Sequence, residues 1–235
     1  MTITVIGHGY VGLVTACVFA DLGNTVYVIG RDEKKLEKLA KSDPIIFEPG
    51  LAELLKKNIK AKRLIFTKKY DVAIPASSVV FIAVGTPSKA NGEAELSAVF
   101  SVAENTAKHL STNYTVISCK STVPVGTNRI IERLVKKTAP SAQFDTASCP
   151  EFLREGSALQ DTFSPDRIII GADSKHAVDM LLKLHEPLDG KRVIVGLEST
   201  ELIKYASNSI LSTKISFANL IALLCEKSGA DVEEA

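Results

Sequence analysis

The chain has 235 residues, of which 46% are hydrophobic and 23% charged, with a formal net charge of +1. This composition suits a soluble globular protein with a sizeable core and excludes a disordered one, and its charge balance gives no field to draw nucleic acid or an anionic membrane. Cys17, Cys119, Cys149 and Cys225 lie far apart without C-x-x-C spacing, so neither a disulfide framework nor a metal site is expected.

Residues 2–6, Thr-Ile-Thr-Val-Ile, form a β-branched run that enters Gly7-His8-Gly9-Tyr10-Val11-Gly12 and then an Ala- and Val-rich stretch. The pattern is strand, glycine turn, helix. Gly7 permits the tight turn, Gly9 leaves room for a pyrophosphate, and Gly12 lets the helix lie close to the strand. The helix N-terminus then faces the phosphates. The chain enters this strand without a basic leader, and the apolar stretch 11–22 is too short to cross a bilayer, so a cytoplasmic protein is expected.

A second strand is predicted at 25–29, and Asp32 can cap a helix over 33–41. A helix over 51–58 and a short strand at 64–66 follow. Seven basic residues between Lys56 and Lys69, with no acid among them, are read as a solvated face. The apolar run 79–84 is a strand buried on both faces. Helices at 96–110, 126–138 and 175–185 alternate with strands at 114–118, 144–147, 167–171 and 192–195. This alternation implies an α/β fold, a doubly wound, mostly parallel Rossmann-type sheet of seven or eight strands.

Residues 198–227 contain neither proline nor glycine. One helix of about 30 residues, roughly 45 Å long, is therefore predicted. It is expected to begin a second unit, which divides the chain into a dinucleotide-binding domain at 1–196 and the start of another at 197–235.

Ligands of open α/β sheets gather beyond the carboxyl ends of the strands. Four segments leave such ends: Gly7 to Gly12, Gly85-Thr86-Pro87-Ser88, Ser121-Thr122-Val123-Pro124-Val125-Gly126-Thr127, and Cys149-Pro150-Glu151-Phe152-Leu153-Arg154-Glu155-Gly156. Their polar residues are expected to converge. If Pro150 opens a helical turn, Glu151 and Glu155 share one face. On the long helix, Lys204 and Asn208 are also four apart, and Ser212, Ser216 and Asn219 extend their side into a polar stripe that could line a pocket.

The segments GYVGL (9–13), FEPGL (47–51), VGTP (84–87), KSTVPVGT (120–127), PEFLREG (150–156), PDR (165–167), IKYASN (203–208) and TKISF (213–217) occur in the order found in the UDP-glucose/GDP-mannose dehydrogenase family, which the chain resembles over almost its whole length. The resemblance implies oxidation of a sugar's primary alcohol to a carboxylate by two hydride transfers to NAD, through a cysteine-bound intermediate. It places Gly7, Gly9, Tyr10, Val11, Gly12, Lys35, Val84, Gly85, Thr86, Pro87, Ser121, Thr122 and Glu155 at the cofactor. It places the stretch from Glu151 to Glu155, with Lys204 and Asn208, at a nucleotide-sugar substrate. Within that set Glu151 is implied as acid/base, Thr122 as positioning water, and Lys204 with Asn208 as stabilising oxyanion charge. A homodimer built on the long helix is implied as well.

Three departures qualify these expectations. The family's nucleophile lies in a G-x-C-x-x-K-D segment that does not occur among these residues, and Cys149 stands where the family usually has asparagine; the chain is therefore expected to bind dinucleotide without completing the oxidation. Where an acid normally binds the ribose 2′-hydroxyl, the chain has Gly30 followed by Arg31, which leaves NADP open beside NAD. Leu220 stands where the family often has glutamate. GDP-mannose stays open beside UDP-glucose, and a β-hydroxyacid dehydrogenase or a non-catalytic dinucleotide-binding module are the competing readings.

Overall fold

A computed structural model describes residues 1–235. In chain order the elements are β1 (Thr2–Ile6), α1 (Tyr10–Asp21), β2 (Thr25–Ile29), α2 (Glu33–Ala40), α3 (Leu51–Lys60), β3 (Leu64–Thr67), α4 (Tyr70–Ala73), β4 (Val79–Ile82), α5 (Ser97–Ala107), β5 (Thr115–Cys119), α6 (Thr127–Thr138), β6 (Phe144–Ser148), α7 (Ala158–Phe163), β7 (Arg167–Ala172), α8 (Lys175–Leu184), β8 (Lys191–Val195) and α9 (Leu197–Ser228). The short helices α4 and α7 carry too few residues to show a periodic pattern in the sequence.

Eight strands form one sheet in the order β3-β2-β1-β4-β5-β6-β7-β8. Strands β1 to β6 are mutually parallel, β7 runs antiparallel to β6, and β8 is parallel to β7. The order reverses between β1 and β4, which makes their carboxyl ends the crevice of the fold. Buried apolar residues fall into two main clusters, one containing α1 and α3 side chains and the other α5 and α6 side chains. The β4 residues show why a continuous apolar run is needed here: Val79 and Phe81 join the first cluster, Val80 and Ile82 the second.

The six lysines between Lys56 and Lys69 are exposed. One of them, Lys57, pairs with Asp21 at 2.7 Å. Helix α9 is long and apolar enough to cross a bilayer by length and composition. Its first two turns instead lie against the sheet, burying Leu197, Thr200, Glu201 and Lys204. Beyond them Ile210, Ile215, Phe217, Leu220 and Leu224 stand 54–62% exposed.

Candidate functional site

The site begins at the crevice, where each glycine has a different reason to lack a side chain. Gly7 has φ +121°, and a Cβ there would fall 2.2 Å from the Ala83 carbonyl oxygen. A Cβ on Gly12 would lie 2.1 Å from the Gly7 oxygen, so both are fixed by packing. Gly9 meets nothing within 4 Å and leaves an open face before α1. As N-cap it brings no side-chain acceptor, and the first turn carries no acid. The N–H groups of that turn, at the positive end of the helix dipole, are left for an anionic ligand. These residues therefore fit the pyrophosphate of a dinucleotide.

The neighbouring loops are tied to one another. Thr86 Oγ1 donates to the Thr122 carbonyl at 2.8 Å, and Ser121 Oγ donates to the Val84 carbonyl at 2.7 Å. Val84, Gly85, Thr86 and Pro87 thus share one wall with Ser121 and Thr122. The loop after β6 reaches the same place from the other side: Gly156 N donates to the Tyr10 hydroxyl oxygen and to Glu48 Oε2, each at 3.0 Å.

Beside this wall lies a cleft of about 640 Å³, lined by Glu151, Phe152, Leu153, Arg154, Arg167, Lys204 and Asn208 among others. That volume suits a ligand of nucleotide-sugar size. Lys204 Nζ donates to the Glu151 backbone oxygen at 2.5 Å and to its Oε1 at 3.1 Å. Both side chains are largely removed from solvent, at 8% and 14% exposure, so the pair is a fixed feature rather than a loose surface contact. Two cations lie over the Phe152 ring, Lys204 Nζ 5.0 Å and the Arg167 guanidinium 4.5 Å from its centroid. Arg154 forks onto Asp161 at 2.6 and 3.1 Å and holds that carboxyl below its usual range. Asn208, one turn beyond Lys204, is exposed and lines the same cleft.

The back of the cleft is formed by Lys120, Cys149 and His185. Lys120 Nζ donates to the Cys149 carbonyl at 3.2 Å. His185 Nδ1 lies 2.7 Å from the Leu181 carbonyl, which can only accept, so Nδ1 carries the proton and Nε2 faces the Cys149 thiol at 3.8 Å. Burial, with Lys120 nearby, pushes the His185 pKa down to about 4. Burial pushes the Cys149 thiol up, and the other three cysteines are buried too. None has the electropositive, accessible setting of a reactive thiolate.

Two sequence expectations are corrected. Pro150 does not open a helical turn. Glu151 Oε2 accepts from the Leu153 N–H at 2.5 Å, so the side chain takes up a backbone donor that a helix would need elsewhere, and regular helix begins only at Ala158. Glu151 and Glu155 therefore do not share a face: Glu151 enters the cleft, whereas Glu155 is exposed beside Tyr10, on the dinucleotide side. The polar stripe of α9 also ends early. Ser207 and Asn208 line the cleft, while Ser212, Ser216 and Asn219 are exposed on the part of the helix that projects past it. Thr122 lies with the dinucleotide wall rather than in the cleft. Arg31 and Lys35 are exposed at the end of β2 and the start of α2.

Two carboxylates not singled out from the sequence hold the site together. Glu48 of the FEPGL segment is 6% exposed and accepts from the Tyr10 hydroxyl, from Gly156 N and from Leu159 N. Burial opposes its charge, but these hydrogen bonds outweigh burial and hold the carboxyl below its usual range. Glu201 of α9 accepts from Gly126 N at 2.6 Å, Asn128 N at 2.8 Å and Asn128 Nδ2 at 2.7 Å. It supplies the anionic cap that α6, with Gly126 as N-cap, lacks in its own sequence. The partners of both carboxylates are distant in the chain, so only the fold reveals these roles.

Comparison with known proteins finds relatives along the whole chain. The profile of the UDP-glucose/GDP-mannose dehydrogenase family NAD binding domain matches residues 1–189, and that of the family's central domain matches 198–235. A UDP-glucose 6-dehydrogenase of Bacillus subtilis is 47% identical over 233 residues, covering 99% of this chain and 50% of the relative. Among solved structures, a UDP-glucose dehydrogenase from Pyrobaculum islandicum superposes with TM-score 0.95 at 40% identity, covering 98% of this chain and 54% of that one. A ternary complex of GDP-mannose dehydrogenase from Pseudomonas aeruginosa superposes with TM-score 0.97 at 31% identity, covering 100% and 55%. The chain thus spans about half the length of the relatives it matches.

Proposed function

The chain belongs to the UDP-glucose/GDP-mannose dehydrogenase family, whose cofactor is NAD, and from that premise we propose that these residues bind NAD and orient a nucleotide sugar, UDP-glucose, for oxidation of its 6-hydroxymethyl group to a carboxylate. The observation that carries the reading is Lys204 locked onto Glu151 in the cleft beside the glycine loop, with Asn208 one turn away. The higher identity to the UDP-glucose enzymes, 47% and 40% against 31% for the GDP-mannose enzyme, favours UDP-glucose.

Gly7, Gly9 and Gly12 shape the pyrophosphate site, and NAD, when bound there, supplies the acceptor for each hydride. Glu151 takes the proton of the sugar hydroxyl as its carbon–hydrogen electron pair leaves, and later takes one from water at the hydrolytic step. Thr122, on the dinucleotide wall, would reach that water only from the cofactor side. The Lys204 ammonium, itself shielded from solvent, and the Asn208 amide face the oxygen on which negative charge grows. Two hydride transfers and one water convert the alcohol to the acid.

The covalent step calls for a thiolate, and the four buried cysteines here do not provide one. These residues alone therefore bind dinucleotide without sustained turnover. The domain boundary lies at 196/197, a division supported by the separate family matches to 1–189 and 198–235. The apolar face of α9 serves a homodimer of a cytoplasmic enzyme rather than a membrane span. Its buried Glu201 and Lys204 support that reading.

Calorimetry on the 235-residue chain tests the proposal. NAD binds, Gly9→Val weakens it by about 100-fold or more by filling the phosphate approach, and absorbance at 340 nm shows no sustained reduced cofactor with UDP-glucose. Absence of NAD binding, or steady formation of reduced cofactor, would sink it.

A further inference from the structure

In sheets of this kind the adenosine ribose lies at the carboxyl end of β2, where an acidic side chain accepts the 2′-hydroxyl of NAD and repels the 2′-phosphate of NADP. Gly30 occupies that place. A Cβ there would fall 2.4 Å from His8 Cδ2, 2.9 Å from His8 Nε2 and 3.0 Å from Leu36 Cδ2. The imidazole of the glycine loop already fills the volume that an acid would need.

The ring is half-buried, and its Nε2 is shut from solvent without a hydrogen-bond partner. The charged groups around it are two cations, Lys35 and Arg31, and one anion, Asp32. Asp32 caps α2, accepting from Lys35 N at 3.1 Å. The Arg31 and Lys35 side chains are exposed, and neither makes an ion pair. At the end of β2, then, the repelling carboxylate is absent, a side chain there would have to displace His8, and two cations without ion pairs stand nearby.

We propose that the ribose end of this cleft accepts a 2′-phosphate held by Arg31 and Lys35, with the His8–Gly30 packing keeping out a competing acid, so that the chain binds NADP as well as NAD. This rests on the dinucleotide reading of the glycine loop. A guanidinium offers the phosphate a fork of donors and an ammonium adds a compact charge. Binding through such exposed cations weakens with salt.

Titration calorimetry of the purified chain with NAD and NADP, at low and high salt, tests the proposal. NADP is expected to bind within about tenfold of NAD and to lose affinity more steeply with salt. The double variant Arg31→Ala/Lys35→Ala should lower the NADP-to-NAD affinity ratio by about tenfold or more. The double variant His8→Ala/Gly30→Asp, which makes room for the acid and installs it, should move the ratio the same way, with circular dichroism confirming its fold. NADP binding more than about tenfold weaker than NAD, or a ratio unmoved by the Arg31/Lys35 variant, overturns the proposal. Failure of both dinucleotides to bind overturns the glycine-loop reading, and the proposal with it; loss of NADP alone overturns only the proposal.

Discussion

Helices α1 and α9 are both apolar and both follow a glycine at the end of a strand, yet they are held by opposite means. In α1, nine of 12 residues are buried, almost all of them apolar. In α9, five of 32 are buried, and three of those are Thr200, Glu201 and Lys204. The first helix is apolar all round because the sheet and its neighbours enclose it. The second is pinned by a polar end while its apolar side chains stand in solvent. Apolar composition therefore says how much surface a helix could bury, and the placement of its few polar residues says where it is attached.

The sharpest test of this contrast pairs two phenylalanines. Phe19 on α1 stacks on Phe81 at 5.7 Å and meets the His185 ring edge-on. Phe19→Ala should cost about 3–5 kcal/mol in urea unfolding. Phe217 on α9 is 62% exposed, and Phe217→Ala should stay within about 0.5 kcal/mol in dilute solution. Equal losses in dilute solution would dissolve the contrast, whereas a Phe217 effect that grows with protein concentration would report the homodimer that α9 serves.

His185 probes the enclosed side through pH. Its folded pKa, about 4, lies below its unfolded value of about 6.5. The unfolded chain therefore takes up a proton as pH falls through 6.5, while the folded chain resists until about 4. Stability should drop across that window by on the order of 3 kcal/mol from this group. His185→Gln should flatten this part of the stability–pH curve, and an unchanged slope would contradict the buried neutral imidazole.

The polar anchor of α9 should give the smallest of the three effects. Glu201→Gln replaces one of two accepting oxygens with an NH₂ facing the Gly126 and Asn128 donors. A loss of about 2 kcal/mol is expected, with faster hydrogen exchange at those two amides. Unaltered exchange there would mean that α9 is held by something else.

Much of this architecture could be read from the sequence. The β4 run, the glycine loop and the alternation of strand and helix led directly to a Rossmann-type sheet, because periodicity and turn chemistry are local signals. The helical turn at Pro150 was misjudged because Glu151 bonds its own backbone, a competition that spacing does not reveal. The antiparallel β7 was equally invisible, since a buried strand carries the same apolar run in either direction. Glu48 and Glu201 escaped notice because their partners lie far away in the chain and are chosen by the fold alone.

That distance gives Glu48 a meaning in time as well as in space. Its partners Tyr10, Gly156 and Leu159 are 38, 108 and 111 positions away. No short stretch of chain can make these bonds early, because closing such loops costs entropy that only an assembled sheet can offset. The segment that carries Glu151 is therefore expected to become ordered only after the sheet on which it rests has assembled.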